Sequence, residues 1–376
     1  VASDQEGTMD WRGWQLSTLL RAVQGRRVPP APIGGPSGPR ARRSAPTAGD
    51  RALDTLLDDL DPVRRRQVLA PLGGGGAGGV RPARAGRLLR WGSAAAQQVD
   101  GTTCGAAVLG MLAAAGDPRL AAWLVTGRTP VGGSVPPELR LVDAGDLVTA
   151  HDPIEAEAGS GTHAHEGDGG AAPDGTAGPG GAAGPIAGHR TAVGHHPDAP
   201  TWFRTPDGRT VHADATPEAA TAARWGALQH ALHRASTRRA VLGLLPWPRA
   251  LGTPPWGAER LARFPGVRYR AVPVDDRRPA EVQDLLVRID AALDHGVPVP
   301  LYSGGDLGDG LAAAVPRHVV LAAARTDDGY LVYEPGAGRL LPLTRGEVER
   351  PTGPAAALGG WTHLCWALLP VADRGR

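Results

Sequence analysis

Residues 97–112 read QQVDGTTCGAAVLGML, a cysteine set between two glutamines and a run of small and apolar residues. Val108, Leu109, Met111 and Leu112 fit one buried helical stripe, so the spacing predicts a helix from Thr103 to Ala115, stopped by Gly116-Asp117-Pro118. Thr102 or Thr103 is the expected cap. Cys104 then stands at a helix start, where unpaired N–H groups and the macrodipole lower a thiol's pKa, as nucleophilic chemistry requires. Gly105 leaves room beside it for a substrate backbone. An oxyanion on an attacked carbonyl needs fixed donors. The Cys104 N–H is one, and the side-chain amide of Gln98, six residues upstream, is the second, with Gln97 the less favoured choice. Taken alone, a small cysteine ahead of a helix is more often core than chemistry. Its partners decide.

The base for such a thiol is a histidine brought in from elsewhere. Six of the 12 histidines (His151, His163, His165, His189, His195 and His196) fall in one low-complexity tract. His318 differs, because it opens the apolar strand-like run HVVLAAA. A turn at Asp327-Asp328-Gly329 and the return run GYLVYEP bring Glu334 back to within a few residues of it. A carboxylate there holds the imidazole in one tautomer. The only other cysteine, Cys365, lies between Leu364 and Trp366 in a closing strand and reads as core.

Working outward, residues 8–23 fit a short amphipathic helix and 25–49 a Pro/Gly/Arg linker. Asp50 is the expected cap of a second helix carrying Leu53, Leu56, Leu57 and Leu60; Pro62 interrupts it and GGGGAGG at 73–79 ends it. Residues 1–87 thus form a basic extension, equally readable as a docking arm, a pro-segment-like cover or a plain tail. Residues 88–370 read as the folded domain, interrupted at about 150–200 by a Gly/Ala/His-rich insertion too poor in apolar residues to order itself. Further helices are expected at 118–125, 217–238 and 279–295. The period then changes to short runs, VPVPLYSG, RHVVLAAAR, GYLVYEP, GRLLPL and WTHLCWALLP. Helices first and an antiparallel sheet last make an α+β domain.

Composition limits the function classes. Among 376 residues there are 54 Gly, 36 Pro and no lysine, so every basic residue is arginine. This bias weakens the information in Ala, Gly and Arg runs. The net charge of +2 hides an uneven split: residues 1–90 hold 15 Arg against 8 Asp plus Glu, or +7, leaving −5. Without interleaved aromatics that basic arm reads as a solvated face, and nucleic acid is not an expected partner. No run approaches the ~18 apolar residues of a membrane span. The stretch at 14–24 is broken by Arg21 and followed by no small-residue cleavage site, which argues against a secretory signal. Two distant cysteines are no disulfide framework, so a reducing cytoplasm is expected. His163, His165, His195 and His196 lack the spacing and supporting shell of a metal site, and GGGGAGG lacks the Lys-Ser/Thr of a phosphate loop. No cofactor is expected. In LLPWPRALGTPPWG (244–257), Trp247 and Trp256 are stiffened by prolines; they line a groove for an extended peptide or form a packed corner, and the sequence leaves both open.

Together, Q-x5-CG-x-A-x-L-x-ML, the later G-x-P run, HVVL and YEPGAGR resemble the papain-like cysteine peptidases. The nearest branch is the double-glycine (bacteriocin-leader) peptidases and their free-standing bacterial members. The resemblance covers roughly 88–125 and 285–369. It implies a papain-like fold, with Gln98 as oxyanion donor, Cys104 as nucleophile, His318 as base and Glu334 as orienter. It implies cleavage of a peptide or isopeptide bond in a peptide or protein substrate through an acyl-enzyme, or acyl transfer by the same residues, with no cofactor. Three departures stand out. Glu334 replaces the family's Asp or Asn, Thr103 stands where transporter-linked members often carry Asp, and 214 positions separate Cys104 from His318, far more than is usual. The first and third leave a non-catalytic peptide-binding module as the alternative.

Overall fold

The computed structural model describes residues 47–73, 84–130, 134–142, 202–204, 210–212, 217–238, 245–306 and 316–373. The helix expected at 8–23 and the low-complexity insertion lie outside these residues.

Thr47, rather than Asp50, caps the first described helix, α1 (Ala48–Asp58). The Thr47 hydroxyl accepts the Asp50 N–H at 3.2 Å, and the Asp50 carboxylate accepts the Thr47 N–H at 2.9 Å, a capping box. The helical run is interrupted before Pro62, as expected. Asp61 accepts the Val63 and Arg64 N–H groups, and Pro62 opens α2 (Pro62–Leu69), where its missing N–H costs nothing. Leu57, Val68 and Leu72 enter the main core. Asp50 pairs with Arg119 at 2.8 Å, and both ends of the Gln67 amide bond the peptide groups of Gly92 at 2.8 Å. These helices are therefore packed into the domain, and the boundary expected at 87/88 is no break in packing.

A small hairpin of β1 (Arg90–Trp91) and β2 (Ala94–Ala95) leads to α3 (Cys104–Gly116), which is buried without interruption from Cys104 to Ala114. A helix apolar on every side belongs inside a core. Asp117 caps α4 (Pro118–Thr126), which turns 113° from α3. No single helix among the described residues is long and apolar enough to cross a membrane. After the antiparallel pair β3 (Trp202–Arg204) and β4 (Thr210–His212) comes α5 (Pro217–Thr237). It lies close against α3 because Gly110 has no side chain: a Cβ there would stand 3.0 Å from the Trp225 ring.

The remaining elements are α6 (Pro255–Leu261), β5 (Val267–Pro273), α7 (Pro279–Asp294), β6 (Val299–Gly304), β7 (His318–Arg325), β8 (Gly329–Glu334), β9 (Arg339–Thr344), α8 (Arg345–Glu349) and β10 (His363–Ala372). The strands make one antiparallel sheet in the order β5-β10-β6-β7-β8-β9. The last strand is inserted between β5 and β6, and the molecule is α+β. On β6, Ser303 stands opposite His318 of β7, and Gly304 stands opposite His363 of β10. One end of the central strands thus carries two histidines.

Candidate active site

The turn before α3 is tied down by Asp100. Its carboxylate accepts both the N–H and the hydroxyl of Thr102 at 2.7 Å, and its backbone bonds the Thr103 hydroxyl at 3.2 Å. Neither threonine caps the helix with its side chain. Thr103 occupies the cap position with ψ near zero and makes no side-chain cap bond, because the Asp100 turn has taken both hydroxyls. Thr103 thus supplies no side-chain cap to the start of α3.

His318 opens β7 with Nε2 2.7 Å from Glu334 Oε1, and both residues are buried. Nδ1 is the ring nitrogen that Glu334 does not engage. Burial alone would lower the imidazole's pKa; hydrogen bonds to Cys104 and Glu334, with the charges they carry, overcome it and raise the value to about 9. Burial likewise pushes the Glu334 carboxyl up, but the bond from His318 and the Ala337 and Gly336 N–H groups hold it below the ordinary range. A carboxylate that accepts several donors is fixed as an anion. The methylene by which Glu exceeds Asp is taken up by the turn after it, whose two N–H groups curl back onto the carboxylate.

The platform under the imidazole is Gly359, at φ +68°. A Cβ there would lie 2.3 Å from His318 Cδ2, so the ring occupies the volume a side chain would need. Ser303 Oγ donates to the Leu358 carbonyl at 2.8 Å and pins this turn to β6, opposite His318.

Gln98 is half-buried upstream of Cys104. Its Nε2 donates to the Asp100 carbonyl at 2.9 Å, which folds the side chain over the turn into α3 and leaves its second N–H for another acceptor; Oε1 has no partner among the described residues. Gln97 is committed elsewhere. It is exposed, and its Nε2 donates to Gly336 O at 2.8 Å, in the turn that holds Glu334.

One expected substrate contact is placed differently. The space beside Gly105 belongs to Thr253: a Cβ at Gly105 would stand 2.6 Å from Thr253 Cβ, so the glycine accommodates the protein's own side chain. Trp247 and Trp256 meet edge-to-face, centroids 5.3 Å apart, at the corner where α5 passes to α6. Both rings are half-buried, and their edge-to-face packing is a favourable aromatic geometry. What reaches the turn before Cys104 is Gly252, where a Cβ would lie 3.5 Å from Thr102 O. Among the described residues no group of His, Cys, Asp or Glu is arranged to hold a metal ion.

Sequence reading missed Trp225, Gln229 and Tyr302. Gln229 and Trp225 lie on the buried face of α5, and a glutamine interrupting the stripe Trp225-Leu228-Leu232 was the available signal. Tyr302 on β6 is fully buried, its hydroxyl without a partner among the described residues, and the charge of Cys104 adds to burial in raising its pKa. Comparison of the chain with models of known protein families, with curated proteins and with solved structures found no match.

Proposed function

We propose that the protein is a papain-like thiol hydrolase that cleaves a peptide or isopeptide bond through Cys104. The observation that carries this is the buried pair His318–Glu334, its imidazole bonded to the carboxylate at 2.7 Å, with Cys104 near enough to help raise the pKa of that imidazole. Contact between a thiol and an imidazolium favours the thiolate, the attacking species.

The steps follow from these positions. The Cys104 thiolate attacks the carbonyl carbon, forming a C–S bond and placing the electron pair on oxygen, where the Cys104 N–H and Gln98 donate. Collapse breaks the C–N bond, and His318 gives its proton to the leaving amine. His318 then takes a proton from water, the hydroxide attacks the thioester, and the thiolate is regenerated. Glu334 keeps the imidazole oriented throughout. An amine in place of water would give acyl transfer.

Cys104 is only 3% exposed. This burial is what favours the second reading, a non-catalytic peptide-binding module, and it dictates a small probe. With p-nitrophenyl acetate, the hydrolase reading expects a burst of p-nitrophenolate and an acetyl adduct on Cys104, visible by mass spectrometry and lost on further incubation. His318→Ala removes the burst. Absence of an adduct on Cys104, or equal release by Cys104→Ala, rejects the proposal and leaves the binding module.

A further inference from the structure

The geometry points to Gln229 as a positioning residue for the oxyanion donor Gln98. This inference rests on the hydrolase reading and adds a residue to it. Gln229 is 0% exposed on α5, and both ends of its amide are used on one segment. Nε2 donates to the Gln97 carbonyl at 3.0 Å, and Oε1 accepts the Val99 N–H at 3.1 Å. These two peptide groups flank Gln98. The donor–acceptor pattern fixes the amide's orientation, because the flipped form would set oxygen against oxygen and N–H against N–H.

Two more bonds complete the clamp. Trp225 Nε1 donates to the same Gln97 carbonyl at 2.6 Å, and the Gln98 N–H donates to Pro335 O at 2.9 Å, in the turn after Glu334. Residue 98 is thus held from one side by α5 and from the other by the loop carrying the acid. The close α3–α5 approach at Gly110 brings the helix near enough to do this. Gln229 meets neither substrate nor thiol. Its effect passes through the backbone on either side of Gln98, and errors of about 1 Å in such positioning cost on the order of 10²-fold in rate.

Two reactions of Cys104 separate this role from general support of the fold. Alkylation by iodoacetamide is a displacement at a saturated carbon and forms no oxyanion, so it reads the thiol and His318 alone. Acylation by p-nitrophenyl acetate forms the C–S bond through an oxyanion as p-nitrophenolate departs, so it also reads Gln98. Gln229→Leu is expected to slow acylation about 10²-fold and leave the alkylation rate of Cys104 unchanged. Gln98→Ala shows the same split, and the double variant is no slower than Gln98→Ala, because residues acting through one contact are not additive. Gln229→Glu, which keeps the acceptor for Val99 and loses the donor to Gln97, falls between. Should Gln229→Leu unfold, Gln229→Glu, with its melting temperature and alkylation rate as controls of the fold, decides the matter. Equal loss of both reactions, loss of neither, or additive loss in the double variant overturns the clamp and leaves the hydrolase standing. Wild-type protein that p-nitrophenyl acetate does not acylate overturns both.

Discussion

The chain has two cysteines and, among the described residues, two histidines paired with carboxylates, and the two cysteines stand differently toward them. Cys104 helps raise the pKa of His318, which is bonded to Glu334 at 2.7 Å. Cys365 lies two residues after His363, whose Nδ1 is 2.9 Å from Asp276, yet its side chain is buried inside β10 at 0% exposure. Burial, with the charge of Asp276 added, pushes that thiol far above its ordinary range. One cysteine begins a helix near the His318 ring; the other is packed mid-strand in apolar surroundings. Proximity in sequence to a paired histidine does nothing for a thiol. Under the proposed reading, the His318 ring and a helix start activate Cys104.

The comparison can be broken most forcefully at His318. His318→Ala is expected to slow acylation of Cys104 by roughly 10²–10⁴-fold, the usual value of a positioned acid–base group, whereas His363→Ala leaves it unchanged; ester burst kinetics on both variants check this. Glu334→Gln removes one of the two oxygens that accept from His318, Gly336 and Ala337 and turns an amide N–H toward donors. A buried donor left unpaired costs about 1–3 kcal/mol, read as a lower melting temperature, with a slower burst as the imidazole loses its orientation.

A third test uses pH. The folded-state pKa of His318 is raised from 6.5 to about 9, so the fold binds the proton more tightly than the unfolded chain. That contribution to stability is whole below pH 6.5 and is lost as pH rises through about 9. Melting curves are expected to show a decline across this window that His318→Ala lacks. Smaller still is Cys365→Ala, which removes a buried sulfur and costs on the order of 1 kcal/mol without changing the acylation rate. A Thr47→Ala change, far from either cysteine, should cost about 1 kcal/mol through loss of the cap and likewise spare the chemistry.

Much of this was legible in the residues, for identifiable reasons. The apolar run of α3 (buried on every side rather than along one stripe), the runs forming β6 to β10 and the Asp-Asp-Gly turn are local signals, and they mark the elements that hold Cys104, His318 and Glu334. Strand β5 goes unassigned from the residues although Val267-Arg268-Tyr269-Arg270 alternates, because its arginines leave no apolar run. The insertion of β10 between β5 and β6 has no local signal, because strand order is decided by packing across the whole sheet. The Gly105 reading failed for a similar reason: a missing side chain announces a close approach without saying what approaches, and here it is Thr253. Thr47 was overlooked as a cap because Asp50, three residues later in the same capping box, carries the more conspicuous charge.

The central claim, that contact with His318 makes Cys104 a nucleophile, is tested most directly by iodoacetamide alkylation of the native chain at pH 6. Modification of each cysteine is followed by peptide mass spectrometry, in wild type and in His318→Ala. The expected result is that Cys104 reacts faster than free cysteine at that pH, Cys365 stays unmodified, and His318→Ala removes the excess rate. A Cys104 rate no greater than that of free cysteine, or one unchanged in His318→Ala, would contradict it.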